Sequence, residues 1–339
     1  MKKAGALIIS VILVSGIPSA FAQSATRALG MAYALTAAAD GVDAITYNPA
    51  GLGFQKNFTL TVGATAGVSS NSLLSLSDLA QRAQDGYLTA IPQVAFAARN
   101  FGASTVFEMS MAPYSMSRSL GAKAGFGLAF GPLAVGANLR WYKYGSFATD
   151  SWPVDSASEI PGTLMDLAFE DADGGTAFWG AGLGALLKLG EFAVGAYLPN
   201  VTSFLTGDDS SSALGTARTG VSWYPLHLRS GNGTELFSLL VAADVWNLGL
   251  ESSRCLYVGT ECHVNLVVLG AAARAGIAMP LGSGSGAMPV YLGATAHVLF
   301  ANLDLGLVTS DDALSTLLSG GGLQSLKANR VYATVRATF

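Results

Sequence analysis

The chain has 339 residues; 51% are hydrophobic, only 12% are charged, the formal net charge is −4 and the mean hydropathy is +0.44. That balance is too apolar for an ordinary soluble domain, and the absence of basic clusters interleaved with aromatics argues against nucleic-acid binding. Beyond the N-terminus no stretch supplies the ~18 uncharged apolar residues a membrane helix needs. A bilayer admits only helices and closed barrels, because every backbone N–H and C=O must be paired internally, so the barrel remains.

In chain order, residues 1–22 read as a secretory signal peptide. Lys2 and Lys3 form a positive start, 4–17 is short and apolar, Pro18 and Ser19 break it, and Ala20-Phe21-Ala22 is a small-x-small cleavage pattern. Cleavage after Ala22 leaves Gln23 as the mature N-terminus. No cysteine lies near that site, which argues against a lipid-anchored lipoprotein. Residues 24–56 lack a period of two and read as a small-residue helix or turn followed by a loop.

At 57–68 the pattern changes. Phe58, Leu60, Val62, Ala64, Ala66 and Val68 fall on one face; Thr59, Thr61, Gly63, Thr65 and Gly67 fall on the other. Apolar-out and small-polar-in alternation is the signature of a membrane-spanning strand. It recurs in Ala122, Ala124, Phe126, Leu128 and Phe130, and again in Leu133, Val135, Ala137, Leu139 and Trp141, with Gly131-Pro132 as a tight turn between them. Leu189-Gly190-Glu191 is a second tight turn. About a dozen strands are readable directly: near 57–68, 92–101, 102–112, 120–131, 132–144, 176–189, 191–202, 212–224, 234–247, 264–279, 288–308 and 328–339. Between 290–300 and 303–307 the apolar phase slips by one residue, which means a bulge or a turn near Ala301-Asn302. A turn there, with a further short strand near 311–319, would bring the count to fourteen.

Long polar linkers at 69–91, 145–175 and 247–263 alternate with the short turns, as external loops alternate with periplasmic turns in outer-membrane barrels. If strand 57–68 runs outward, so does 234–247, and Cys255 and Cys262 then lie in an external loop where a disulfide would persist. Trp141, Tyr142, Tyr144, Trp152, Trp223, Tyr224 and Trp246 near strand ends suit interfacial girdles as well as ordinary strand composition. The chain ends in an amphipathic strand: Val331, Ala333, Val335, Ala337 and Phe339 share one face. A last strand ending in Phe339 looks like the signal read by the outer-membrane insertion machinery.

The segment ATRALGMAYALTAAADGVDAITYNPAGLG at 25–53 is the most specific stretch. Its Arg-Ala-Leu-Gly opening, the pairs Asp40-Gly41 and Asp43-Ala44, and above all Tyr47-Asn48-Pro49-Ala50-Gly51-Leu52 resemble the start of the FadL/TodX family of outer-membrane transporters for fatty acids and other hydrophobic compounds, with PorV-like relatives. By itself Asn48-Pro49-Ala50-Gly51 is a turn. The resemblance implies a hatch: residues 23–56 inside the lumen of a fourteen-stranded barrel formed by 57–339, with cargo leaving sideways near a kinked third strand. In this count that strand is 102–112, with Glu108 in its middle and Pro113 at its end. The fold expected is therefore all-β, a transmembrane antiparallel barrel with a small N-terminal hatch, in the cell outer membrane.

Charged residues on lumen-facing positions are the ligand-binding candidates, since they do not face lipid cheaply. The phase places Glu108, Lys123, Arg140, Asp244, His297 and Arg336 there, and leaves Arg274 open. Arg grips a carboxylate through two parallel bonds, which suits a fatty-acid head group; the same charges could instead pair across the lumen and hold the hatch. His227, His263 and His297 have no metal-ligand spacing, and no catalytic set is apparent, so an enzyme is not expected and neither is a cofactor. The expected partners are a hydrophobic, fatty-acid-like small molecule, outer-membrane lipid and the insertion machinery. The alternatives are a PorV-like assembly partner or surface-interaction protein acting through the 145–175 and 69–91 loops, and, ranked below both, a phospholipase.

Overall fold

Fourteen antiparallel strands each pair with the next in sequence, and the last pairs back with the first to close a barrel. They are β1 (Thr59–Ser75), β2 (Tyr87–Ala98), β3 (Phe101–Ala112), β4 (Ser115–Phe130), β5 (Leu133–Ala148), β6 (Thr176–Leu189), β7 (Phe192–Leu198), β8 (Arg218–Arg229), β9 (Glu235–Trp246), β10 (Cys255–Leu266), β11 (Leu269–Pro280), β12 (Pro289–Val298), β13 (Ala301–Ser310) and β14 (Lys327–Thr338). The structure, a computed structural model, describes residues 25–75, 87–112, 115–148, 176–202, 216–230, 235–266, 268–282, 288–310 and 327–339. The signal peptide, the 149–175 linker and the expected strand near 311–319 lie outside the described residues.

The two faces of each strand separate as a membrane barrel requires. In the β4–β5 hairpin Phe126, Leu128, Phe130, Leu133, Val135 and Leu139 point outward and are exposed, while Gly121, Gly125, Gly127, Ala134 and Asn138 are buried inside. In β7, Phe192 and Val194 face out and Ala193, Gly195 and Tyr197 face in. The outward rows form an apolar surface around a closed sheet whose backbone groups are paired internally, the physical condition for crossing a bilayer. Two-residue turns at Arg99-Asn100, Gly131-Pro132, Gly190-Glu191 and Leu299-Phe300 sit at one end. Gly131 and Gly190 hold φ of +63° and +64°, the left-handed region that such turns need and that glycine enters without strain. The longer connections after β1, β5, β7 and β13 leave from the opposite end.

Two differences from the sequence reading account for the strand count. The phase slip after Val298 is a turn, so 288–308 is two strands, β12 and β13. The other addition is β10, which occupies most of the stretch read as a loop at 247–263. That also removes the expected disulfide: Cys255 and Cys262 are both free. They lie seven positions apart on one extended strand, about 23 Å of rise, and point to opposite faces, whereas a disulfide needs Cα atoms about 4.4–6.8 Å apart.

The last residue closes the ring. Phe339 and Leu60 exchange two backbone hydrogen bonds of 2.8 and 2.9 Å, and the Phe339 ring stacks on Phe300 at 5.4 Å. Phe58 stacks on Phe96, and Phe96 meets Phe101 at a tilt, so the short-turn rim carries a phenylalanine belt. Of the aromatics expected in girdles, Trp223 faces outward, but Trp246 turns inward onto a hatch residue, Tyr33.

The hydrophobic core lies inside the lumen. Helix α1 (Ala25–Gly30), a 3-10 turn at Gly41–Asp43, helix α2 (Ala44–Tyr47) and a second 3-10 turn at Pro49–Phe54 fold together there. Ala28, Met31, Ala34, Leu35, Ala44, Ile45 and Leu52 are buried against Ala95, Ala97, Leu240 and Ala242 of the wall.

Candidate functional site: the hatch and the lumen around it

The hatch fits because glycines line the wall at the points where the two backbones come closest. A Cβ on Gly127 would come within 2.6 Å of Gly53 N, and one on Gly276 within 2.7 Å of Ala32 N. Gly136, Gly195 and Gly259 press in the same way against the backbone of Pro49, Thr36 and Met31. Glycine is used here for close approach of two backbones.

Asn48 is the central clamp. It is fully buried, and its Nδ2 donates to Thr36 O at 2.9 Å, to Ala185 O of β6 at 3.0 Å and to Ala196 O of β7 at 3.3 Å. Its Oδ1 accepts from Ala50 N at 3.2 Å, capping the turn that Pro49 begins. Gly51 packs against Ala39, so the four residues of the turn motif tie the hatch to itself and to two strands.

A second set of contacts is ionic. Arg27 reaches Glu261 of β10 through Nε and Nη2, both at 3.1 Å, and reaches Asp40 and Asp43 of the hatch through Nη1 at 2.8 Å. Glu261 also accepts from Arg274 Nε at 2.5 Å; Arg274 Nη1 donates to Thr295 Oγ1 at 2.6 Å; Thr295 bonds Asp304; and Asp304 pairs with Arg336 at 2.8 Å. The ladder runs from the hatch across β10, β11, β12, β13 and β14. Charges buried in this way are tolerated only when fully paired. Elsewhere Asp244 Oδ2 accepts Thr36 N–H at 2.7 Å, Asn138 donates to Ile45 O at 2.7 Å, and Ser222 donates to Ala37 O at 3.2 Å.

All the expected lumen residues face inward, but they are dispersed. Lys123 donates to Thr46 of the hatch at 2.6 Å. Arg140 donates to Pro199 O and, at 2.9 Å, to Asn200 Oδ1. Arg274 belongs to the ionic ladder. His297 stands beside His263, with ring centroids 6.1 Å apart. Glu108 lies on β3, half-buried and away from the others. Histidines distant in sequence gather on the short-turn rim: His227 contacts Glu191 at 3.0 Å and Glu235 at 2.7 Å, and His263 contacts Glu235 at 3.2 Å. Among the described residues no set could hold a metal. A cleft of about 290 Å³ opens there between the hatch and the wall, lined by Asp40, Glu191, His227 and Glu235.

The sequence reading passed over Arg27, Glu261, Asn138 and Arg218. Arg27 sits within the quoted motif, and its charge in an otherwise apolar stretch was a usable signal. Glu261 was hidden with the rest of β10.

No family model and no curated protein matches the chain. Among solved structures it is similar to the Ralstonia pickettii toluene transporter TbuX, at 11% identity over 91% of this chain and 97% of that one, with a TM-score of 0.46. It is also similar to the Pseudomonas putida toluene transporter TodX, at 12% identity over 87% and 91%, with a TM-score of 0.43. CdiB from Acinetobacter baumannii follows at 8% identity, over 84% of this chain and 60% of that one, with a TM-score of 0.38.

Proposed function

We propose that the protein is an outer-membrane channel for hydrophobic small molecules, long-chain fatty acids among them, with a plugged lumen and a lateral exit. The observation that carries the reading is the seating of the Asn48-Pro49-Ala50-Gly51 turn inside the barrel, clamped to β6 and β7. A plug held by a buried side-chain clamp and an ionic ladder blocks a straight aqueous path, so cargo must leave through the wall. The exit in this reading lies where β2 meets β3; Pro113 itself lies outside the described residues. The ladder between β2 and β3 is interrupted at Ile91 and Pro92, opposite Phe107 and Glu108. Pro92 has no N–H to give, and proline inside a sheet marks such an interruption.

The test is uptake of labelled oleate and toluene by cells whose own outer-membrane hydrophobe channel is deleted, with and without this protein. The reading expects uptake of at least one to rise several-fold. Unchanged uptake of both, with the protein folded in the membrane, would favour the alternative of an assembly or surface-interaction role.

A further inference from the structure

Arg218 stands at the end of β8 farthest from the short turns, with Tyr197 opposite it on β7 and Trp246 opposite it on β9. Its guanidinium carbon lies 3.6 Å from the centroid of the Trp246 ring and 5.8 Å from that of Tyr197. Stacked on ring faces, a guanidinium keeps its in-plane N–H groups pointing sideways, available for a bidentate acceptor. Among the described residues none of those N–H groups has an acceptor, and no carboxylate lies within ion-pair distance of Arg218 or of Arg140. Arg27, Arg274 and Arg336, by contrast, each have one at 2.8, 2.5 and 2.8 Å.

Both guanidiniums occupy one level. Asn138, one inward-facing step before Arg140, bonds Ile45 O of the hatch; Asp244, one such step before Trp246, accepts Thr36 N–H. Arg140 and Arg218 therefore sit directly over the hatch on the side of the longer connections. Arg140 donates there only to neutral acceptors, Pro199 O and Asn200 Oδ1.

Aromatic faces surround this level. Tyr33 of the hatch meets Tyr291 edge-on at 6.0 Å and Trp246 at 6.1 Å, and Trp246 meets Tyr257 at 4.7 Å. Ala32 and Tyr33 hold φ of +49° and +62°, a conformation that non-glycine residues adopt only where the surroundings enforce it. That strain aims the Tyr33 ring at the cluster.

We propose that this is a binding site for an aromatic carboxylate, its acid group gripped by Arg218 with Arg140 alongside and its ring lying among Tyr33, Trp246, Tyr257 and Tyr291. Asp244 acts on Arg218 only from beyond ion-pair distance, so the guanidinium keeps in-plane N–H groups that the acid group of a ligand can complete. Ring faces favour a flat partner in offset or edge-on contact over a flexible chain. The proposal rests on the reading of the protein as a channel for hydrophobic small molecules and adds a substrate class to it.

Equilibrium dialysis of the full protein in mild detergent, against 2-naphthoate, naphthalene and decanoate, tests it. The wild type should bind 2-naphthoate, and Arg218→Met should weaken that binding at least tenfold while holding naphthalene within twofold, which also shows that the variant is folded. Arg140→Gln should weaken 2-naphthoate by a smaller factor. Equal 2-naphthoate binding by Arg218→Met overturns the site. Decanoate bound as tightly as 2-naphthoate overturns the aromatic class. Naphthalene binding without 2-naphthoate overturns the anion site and leaves the channel reading intact; binding of none of the three removes both.

Discussion

Arg27 and Glu261 are 234 residues apart in sequence, and two hydrogen bonds of 3.1 Å join them inside the barrel. One belongs to the hatch and the other to β10, so this pair fixes the plug to a strand formed late in the chain. Truncating one member of an isolated buried pair costs about 3–5 kcal/mol; here Glu261 keeps Arg274 and Arg27 keeps Asp40 and Asp43, so each single change should cost less than that. Arg27→Met and Glu261→Gln should each lower the urea midpoint of the detergent-folded barrel. The double variant should cost less than the sum of the two, since the Arg27–Glu261 contact they share is lost only once. Strict additivity would contradict the pairing.

Asn48 makes its contacts through an amide that only asparagine supplies. Asn48→Asp keeps the shape but turns Nδ2 into an acceptor facing three carbonyls. Each lost bond is expected to cost about 1 kcal/mol, with a further penalty for the buried charge. Asn48→Asp should therefore be more damaging than Asn48→Ala, as read by the temperature at which the folded band is lost on unboiled gels. The reverse order would show that the side chain fills space without clamping.

Gly195 and Gly190 separate two uses of glycine. Gly195→Val forces a side chain into the Thr36 backbone and should expel the hatch, exposing 25–56 to protease in a barrel that is still folded. Gly190 sits in open space at φ +64°, so Gly190→Ala should cost about 1–2 kcal/mol and leave the hatch protected. Protection of the hatch in Gly195→Val would contradict the fit.

Cys255 and Cys262 should titrate as two thiols per chain in denaturant without reductant. A protein showing none before reduction would restore the disulfide and displace β10.

Most of the wall was legible in the sequence, because β1, β4, β5 and β6 alternate small or polar residues inward with apolar residues outward. β10 was not. Its outward row Leu256, Val258, Thr260, Cys262, Val264 and Leu266 does alternate, but its inward row carries Glu261 and His263, which read as loop polarity. The same fact hid the site: the partner of Arg27 lies on the strand that was missed. The turn motif at Asn48 was visible as a motif, yet its partners Ala185 O and Ala196 O are backbone atoms that no side-chain pattern announces. Arg218 escaped notice because its meaning depends on two rings brought beside it by strand pairing.

The most direct test of the account is conductance across a planar lipid bilayer, comparing the wild type with Gly195→Val. The hatch described here predicts an electrically silent wild type and a steadily conducting variant. An open, ion-conducting wild type would mean that the lumen is not plugged, and the lateral-exit channel would fall with it.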